Sequence, residues 1–457
     1  MFPSSSVHRA RLANGLTVLV RRDDSAPVTA IVTWVNAGYF DEPDEDIGIS
    51  HVLEHMYFKG TPTRPVGAIA RQTKASGGYL NAHTIYDHTA YETVLPASAF
   101  ARGLAIQADA YAHSLIDAGE LARELEVIIQ EAKRKLDSPP AVAVESMYAL
   151  LHDRHRLRRW RIGDEAGLRA LTRERLVGFY RRFYRPGNTI VVVVGDVAVE
   201  EAMARIEALY GALPDEAVTR STGEAERELP GFRYRELDGD IAQAQVVFGW
   251  RTPGSLHVDT PALDLAAAIL ADGRGARLYR SVRERQFASG ISAMNYAPRD
   301  SGVLMIRTEG DPARAGDAAG ATWGELLALR GDAPSAHEVR RATRLFEARW
   351  MRRLETMEGQ ADFLAEWEAL GDWRQAEGYF ARRMALTPGD VRDAARRYLD
   401  PDQASLLVYR PRGAPTFSAS PDEARSRLEA AAAAVGSAAP AAAPPERAPA
   451  RRPAGAG

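Results

Sequence analysis

Two histidines and a glutamate fall within five residues in the string Gly48-Ile49-Ser50-His51-Val52-Leu53-Glu54-His55-Met56. On a helix, His51 and His55 stand one turn apart and project from one face. Two imidazoles at that spacing can hold one Zn²⁺, each nitrogen at roughly 2.0–2.1 Å. Glu54, next to the second histidine, then sits beside the metal without ligating it, which is the place for a general base acting on water. The competing reading is an ordinary polar helix face, since ten histidines in 457 residues can produce the string by chance. The flanks weigh against it. Ile49, Val52, Leu53, Met56 and Phe58 make the helix largely buried, and buried polar groups need strong partners.

A catalytic zinc usually takes three protein ligands and leaves a fourth position open. Candidates for the third lie between Glu120 and Leu136, a run of helix formers free of Gly and Pro. Glu124 and Glu131 are two turns apart and share a face, with Val127 and Ile128 between them. Spacing alone leaves open that both are solvated charges on a polar helix.

H-x-x-E-H is the inverzincin signature. With Glu131 placed 76 positions after His55, the pattern resembles the pitrilysin/insulinase family of zinc peptidases. Phe58-Lys59-Gly60-Thr61 and Val127-Ile128-Ile129-Gln130-Glu131 also resemble that family, and particularly its mitochondrial processing peptidase beta branch. The resemblance implies that His51, His55 and Glu131 ligate one Zn²⁺ per chain and that Glu54 activates water. It implies that Glu124 supports a ligand from behind. Asn81-Ala82-His83-Thr84-Ile85-Tyr86-Asp87-His88-Thr89-Ala90-Tyr91 resembles the block that receives substrate as an added strand, with Asn81 and Ala82 near the scissile bond. Taken bottom-up, Thr84 to Leu95 reads as one strand, and Asn81 reads equally well as a turn residue after Gly77-Gly78. His83 and His88 are taken as surface or strand histidines, because three ligands are already assigned.

The chain also departs from the family. Gly273 to Glu284 resembles a string whose arginine, here Arg283, pairs with a tyrosine seven residues on to hold the oxyanion; position 290 is Gly290, and Tyr296 is out of register. Losing one such donor costs about 10²–10³ in turnover. The expected function is therefore a zinc metalloendopeptidase that cleaves unfolded peptides in an enclosed chamber. It would be the catalytic subunit of a hetero-oligomer whose homologous partner supplies the Arg/Tyr pair. The alternative is a non-catalytic core subunit that keeps a metal site.

The elements that position these residues look duplicated. Leu171 to Asn188 precedes an apolar strand, Thr189 to Val194; 215 positions on, Leu386 to Gln403 precedes Ala404 to Tyr409, and Pro186 falls on Pro401. Val28 to Val35 and Ile241 to Trp250 are comparable strands nearer the starts. An α+β class follows, as two homologous domains, each a mixed or antiparallel sheet packed with helices. The expected division is 1–220 for the zinc-binding domain, 221–413 for the degenerate one, and 414–457 for an Ala/Pro-rich tail without a core. Within that tail, Glu423 to Val435 is expected to form at most a short exposed helix.

Net charge is −3 and hydrophobic content 46%, which is ample for two cores and gives no nucleic-acid footprint. The basic run Arg154 to Arg161 reads as a solvated loop or as a contact for an acidic partner. There is no cysteine, so disulfides are excluded. No run approaches membrane-span length. The first residues lack an apolar signal core, so a cytoplasmic location is expected, or a periplasmic one if a signal has been removed.

Overall fold

Strand-forming runs of β-branched and aromatic residues build two sheets with matching strand orders. A computed structural model describes residues 6–437 apart from 215, 222, 229 and 230. The first sheet contains β1 (His8–Arg11), β2 (Thr17–Arg22), β3 (Val28–Val35), β4 (Tyr79–Thr84), β5 (Thr89–Pro96) and β6 (Thr189–Gly195). Its spatial order is β1-β2-β6-β3-β5-β4. The second contains β7 (Arg233–Gly239), β8 (Ala244–Pro253), β9 (Gly290–Tyr296), β10 (Ser301–Gly310) and β11 (Ser405–Pro411), in the order β7-β11-β8-β10-β9. In each sheet a single parallel pair, β2 with β6 and β7 with β11, joins otherwise antiparallel neighbours. The repeated order is the structural form of the 215-residue repeat.

The central strands are apolar on both faces because both faces are covered. In β3, Ile31 and Val35 enter the core beneath the histidine helix, while Ala30, Val32 and Trp34 face the opposite way. The helix that covers this opposite face is Met357–Ala369, through Ala361, Leu364 and Ala365, and it belongs to the second half. The exchange is mutual. Pro139–Leu151, from the first half, packs Met147 and Leu151 onto β8 and β11. Gly249 permits that approach: a Cβ there would lie 2.7 Å from Met147 Sδ. The two halves are thus locked by one lent helix each, which no single cut in the sequence expresses.

Three expectations need correction. The stretch 84–95 is not one strand. It breaks into β4 and β5 around a turn in which Ile85 N–H donates to the His88 carbonyl at 2.9 Å. The basic run is not a solvated loop. Arg156 donates to the Phe40 and Ser221 carbonyls, Arg159 to the Glu42 carbonyl, and Arg161 pairs with buried Glu145 under the Tyr86 ring. Arg156 thereby holds the connection between the halves at Ser221, and Arg159 and Arg161 turn inward within the first half, while Arg154 and Arg158 stay exposed. The structured second half does not end at 413. Pro421–Ser437 is a helix that inserts Ala424 and Leu428 into the second core and lies along Ala315–Gly331. Gly320 allows the helices to meet, since a Cβ there would stand 2.3 Å from the Ala431 Cβ. The alanines that read as low complexity are a good helix former's small face. The rest of the expected tail, 438–457, lies outside the described residues.

Candidate metal centre

The histidine helix Ile49–Tyr57 is fixed before any metal is considered. Ile49, Val52, Leu53, Met56 and Tyr57 are fully buried, which leaves His51, Glu54 and His55 on the half-buried opposite side. Its N-terminus is capped from outside the helix. Buried Glu42 accepts hydrogen bonds from Gly48 N–H and Ser50 N–H, each at 3.0 Å, and from the Ser50 hydroxyl. Burial pushes the Glu42 carboxyl up to about 7. The C-terminus is held by Tyr57, stacked on Tyr91 with ring centroids 3.6 Å apart.

Glu124 and Glu131 come from the helix Ala118–Leu136, whose cap Asp117 accepts from Gly119 and Glu120 N–H. Leu121, Ile128 and Ile129 anchor it. Ile128 is buried as expected, but Val127 is 49% exposed, so this face is open between the two glutamates.

The ligand atoms of His51, His55 and Glu131 lie within 4.8 Å of one another. Glu131 Oε2 stands 3.8 Å from His51 Nε2 and 3.9 Å from His55 Nε2. Those gaps are too long for hydrogen bonds. They are close to the roughly 3.4 Å expected between two atoms on one tetrahedral ion at about 2.1 Å. Burial, with His55 and Lys135 adding to it, pushes His51 down to about 3, which leaves a neutral imidazole with a lone pair to give. Two imidazoles and one carboxylate are a donor set that suits zinc.

The neighbours of these three side chains make separate contacts. Glu124 Oε2 lies 3.1 Å from His55 Nδ1, and its other oxygen pairs with Lys59. Burial opposes ionisation of Glu124, but Lys59 and His55 outweigh it and hold the carboxyl below its ordinary range. Glu54 is not among the clustered ligand atoms. Its Oε2 accepts from the Thr84 hydroxyl at 2.6 Å. Burial raises the Glu54 carboxyl, with Thr84 and His55 pulling the other way.

The remaining expected residues are spread more widely. Ala82 packs toward the histidine helix. Asn81 points to the other side of the sheet and donates to Glu92 at 3.4 Å. β4 is an edge strand, so what it offers to a peptide near the metal is backbone rather than the Asn81 amide. Arg283 lies in the short helical segment Tyr279–Arg283, its guanidinium 5.6 Å from the Tyr279 ring centroid. Gly290 opens β9, and the Tyr296 ring packs on Tyr86 at 5.5 Å. Among the described residues, neither Arg283 nor Tyr296 contacts His51, Glu54, His55 or Glu131. In the second half, the helix Thr260–Ala271 packs on β9 as the histidine helix packs on β4. There Asp264 is tied to Asn295 at 2.9 Å, to Tyr379 and to Arg383, an arrangement with no histidine.

The reading from sequence did not anticipate Glu42, Thr84 as a partner of Glu54, or Lys59 as a partner of Glu124. Thr84 and Lys59 stood inside quoted motifs. Nothing in the sequence marks Glu42 as a cap, because it reaches the helix across a loop.

Family models match most of the described chain: "Insulinase (Peptidase family M16)" over residues 17–164 and "Peptidase M16 inactive domain" over 170–346. A protein of Rickettsia felis described as an uncharacterized zinc protease is 30% identical over 305 residues, 65% of this chain and 72% of the relative. The chain belongs to the insulinase family, M16. A probable mitochondrial-processing peptidase subunit beta of Arabidopsis thaliana is 27% identical over 65% of this chain and 58% of that one. Among solved structures, a protease from Helicobacter pylori superposes with a TM-score of 0.84 at 23% identity, covering 89% of this chain and 99% of the other. A Pseudomonas fluorescens structure described as a peptidase M16 inactive domain superposes at 0.83, with 19% identity and 90% and 99% coverage. These two likenesses bear on the fold. No helix among the described residues is long and apolar enough to cross a membrane.

Proposed function

We propose that this M16 chain is a zinc endopeptidase acting on unfolded peptides. The observation that carries the reading is the convergence of His51, His55 and Glu131, with Glu54 held beside them by Thr84. Relatives described as zinc proteases support the choice of metal. Bound there, zinc would act as a Lewis acid on water and on the peptide carbonyl. Glu54 then takes the water proton at its carboxylate and later passes it to the leaving amine. Thr84 fixes which Glu54 oxygen is free. Glu124 holds the His55 ring through Nδ1, so that Nε2 faces the metal position. The free edge of β4 binds substrate backbone as an added strand, which favours extended, unfolded chains.

The groups that would stabilise an oxyanion opposite the metal are not supplied by this chain's Arg283 or Tyr296 in the arrangement described. We therefore assign this chain the catalytic role in a hetero-oligomer, with a homologous subunit closing the chamber and contributing an Arg/Tyr pair. The intact ligand set disfavours a purely structural subunit. Zinc content and peptide hydrolysis should both fall in His55→Ala and in Glu131→Gln, and zinc content equal to wild type in both variants would refute the ligand assignment. Adding the homologous partner should raise kcat/KM on an unstructured peptide. Full activity of the isolated chain, unchanged by the partner, would refute the heteromeric role. Efficient cleavage of a stable folded protein would refute the enclosed chamber.

A further inference from the structure

Behind β4, on the face away from the metal centre, a second set of ligand-type side chains converges where the two halves meet. His83, Glu92 and Asp362 bring one ligand atom each within 4.8 Å of one another. His83 comes from β4, Glu92 from β5, and Asp362 from the helix lent by the second half. Glu92 is more than nine-tenths buried, yet His83 Nδ1 and Asn81 Nδ2 both lie 3.4 Å from its carboxylate, beyond good hydrogen-bond length. A further carboxyl, Glu358, is in hydrogen-bonding contact with Glu92 and accepts from the Tyr79 hydroxyl at 2.8 Å. Arg353 is committed to Asp362 and Glu366, each at 2.5 Å. Two carboxyls hydrogen-bond only through a proton on one of them, so three carboxylates, Glu92, Asp362 and Glu366, face one guanidinium and one imidazole.

The histidine tautomers sharpen the case. His88 Nδ1 lies 2.9 Å from Asp87 Oδ1, so that nitrogen carries the proton and donates. In a neutral His88 the other nitrogen, Nε2, is then an acceptor. His83 Nε2, 3.2 Å away, must then be the donor. In a neutral His83 this turns the Nδ1 lone pair toward the buried Glu92 carboxylate. Two lone pairs cannot face each other stably, so a cation belongs between them: a proton on His83, or a metal. A metal there would also be within reach of Asp362, whose ligand atom lies within 4.8 Å of the other two.

We propose that His83, Glu92 and Asp362 form a second, interdomain site for a divalent transition-metal ion, fastening edge strand β4 to the helix Met357–Ala369. One imidazole and two carboxylates suit Zn²⁺, Co²⁺ or Mn²⁺. His83 and Asp362 line a cavity of about 330 Å³ between the halves, which provides an entry path and room for water ligands. The site lies directly behind the strand assigned to substrate, so its occupancy would stiffen that edge. It would respond to metal supply independently of the centre at His51.

The test uses the full chain with the first centre disabled by His51→Ala and His55→Ala together. Metal-free protein is titrated with Co²⁺ and followed by its visible d–d absorption. One equivalent should bind and raise the melting temperature. Adding His83→Gln should weaken Co²⁺ binding at least about 10-fold, and adding Asp362→Asn should do the same. His83→Gln leaves the Arg353–Asp362 pair in place, so an unchanged circular dichroism spectrum and metal-free melting temperature would show that the loss is not misfolding. Absence of Co²⁺ binding in the doubly disabled chain would overturn the proposal. So would binding unaffected by both added substitutions, or an imidazolium signal from His83 that added metal fails to displace.

Discussion

Replacing Glu124 separates the metal's ligands from the groups that hold them. Its side chain is 12% exposed and accepts from His55 Nδ1 at 3.1 Å, while its other oxygen meets Lys59. A hydrogen bond to an ionised partner is worth about 1.5–3 kcal/mol net, against about 0.5–1.5 for a neutral pair. Glu124→Gln keeps the shape and an acceptor oxygen but loses the charge, a difference of about 1–1.5 kcal/mol. Since 1.4 kcal/mol is tenfold, Zn²⁺ should bind roughly 10-fold more weakly. Glu124→Ala removes the acceptor and leaves Lys59 without its counterion. The loss should approach the upper end of what such supporting partners cost, roughly 100-fold. The assay is competition for Zn²⁺ against a chromophoric chelator, with His83→Gln as the common background so that one site is counted. Affinities within twofold of the parent in both variants would refute the supporting role. Loss of zinc as complete as in Glu131→Gln would make Glu124 a ligand.

Three other outcomes are expected. Thr84→Val should lower kcat by about tenfold with zinc content unchanged, because it removes a hydrogen bond to the charged Glu54; kinetics with elemental analysis checks this. Leu428→Ala should destabilise the chain by about 2–5 kcal/mol, measured by denaturant unfolding, because Leu428 is buried in the second core; no effect would mean that Pro421–Ser437 does not pack. Buried His152, whose Nδ1–H donates to the Tyr148 carbonyl at 3.0 Å, is pushed down to about 4 by burial. Its folded value is below its unfolded one, so the unfolded chain binds the extra proton first. Stability is then full above about pH 6.5 and falls by as much as about 3 kcal/mol as pH drops toward 4. His152→Gln should flatten that stretch of the stability–pH curve.

The pairing of His51 and His55 was legible because it is a periodicity statement: they share a helix face whatever the fold does elsewhere. Glu124 and Glu131 share a face too, but spacing left them open as solvated charges, and the family resemblance singled out Glu131 as a candidate ligand. The duplication was legible because Pro186 and Pro401 punctuate equivalent helix–strand joints. What the sequence hid were contacts made across the chain. Glu42 caps a helix from a preceding loop, the arginines 156, 159 and 161 turn inward onto carbonyls and Glu145, and each half's sheet is covered by a helix from the other. Composition misled at the C-terminus, where alanines that suggested an unpacked tail form a face narrow enough to sit against Gly320. Resemblance to the family pointed to Asn81 as a substrate contact, but strand alternation turns its side chain to Glu92, on the same side as His83.

The most direct measurement on the central claim pairs zinc content with peptide hydrolysis in Glu54→Gln. A glutamine keeps the volume and the contact with Thr84 but cannot accept a proton from water. The expected result is zinc equal to the wild-type chain and a loss of at least about 10² in kcat on an unstructured peptide. If the variant loses its zinc, Glu54 is a ligand, and if it hydrolyses the peptide at the wild-type rate, Glu54 is not the base; either result contradicts the mechanism.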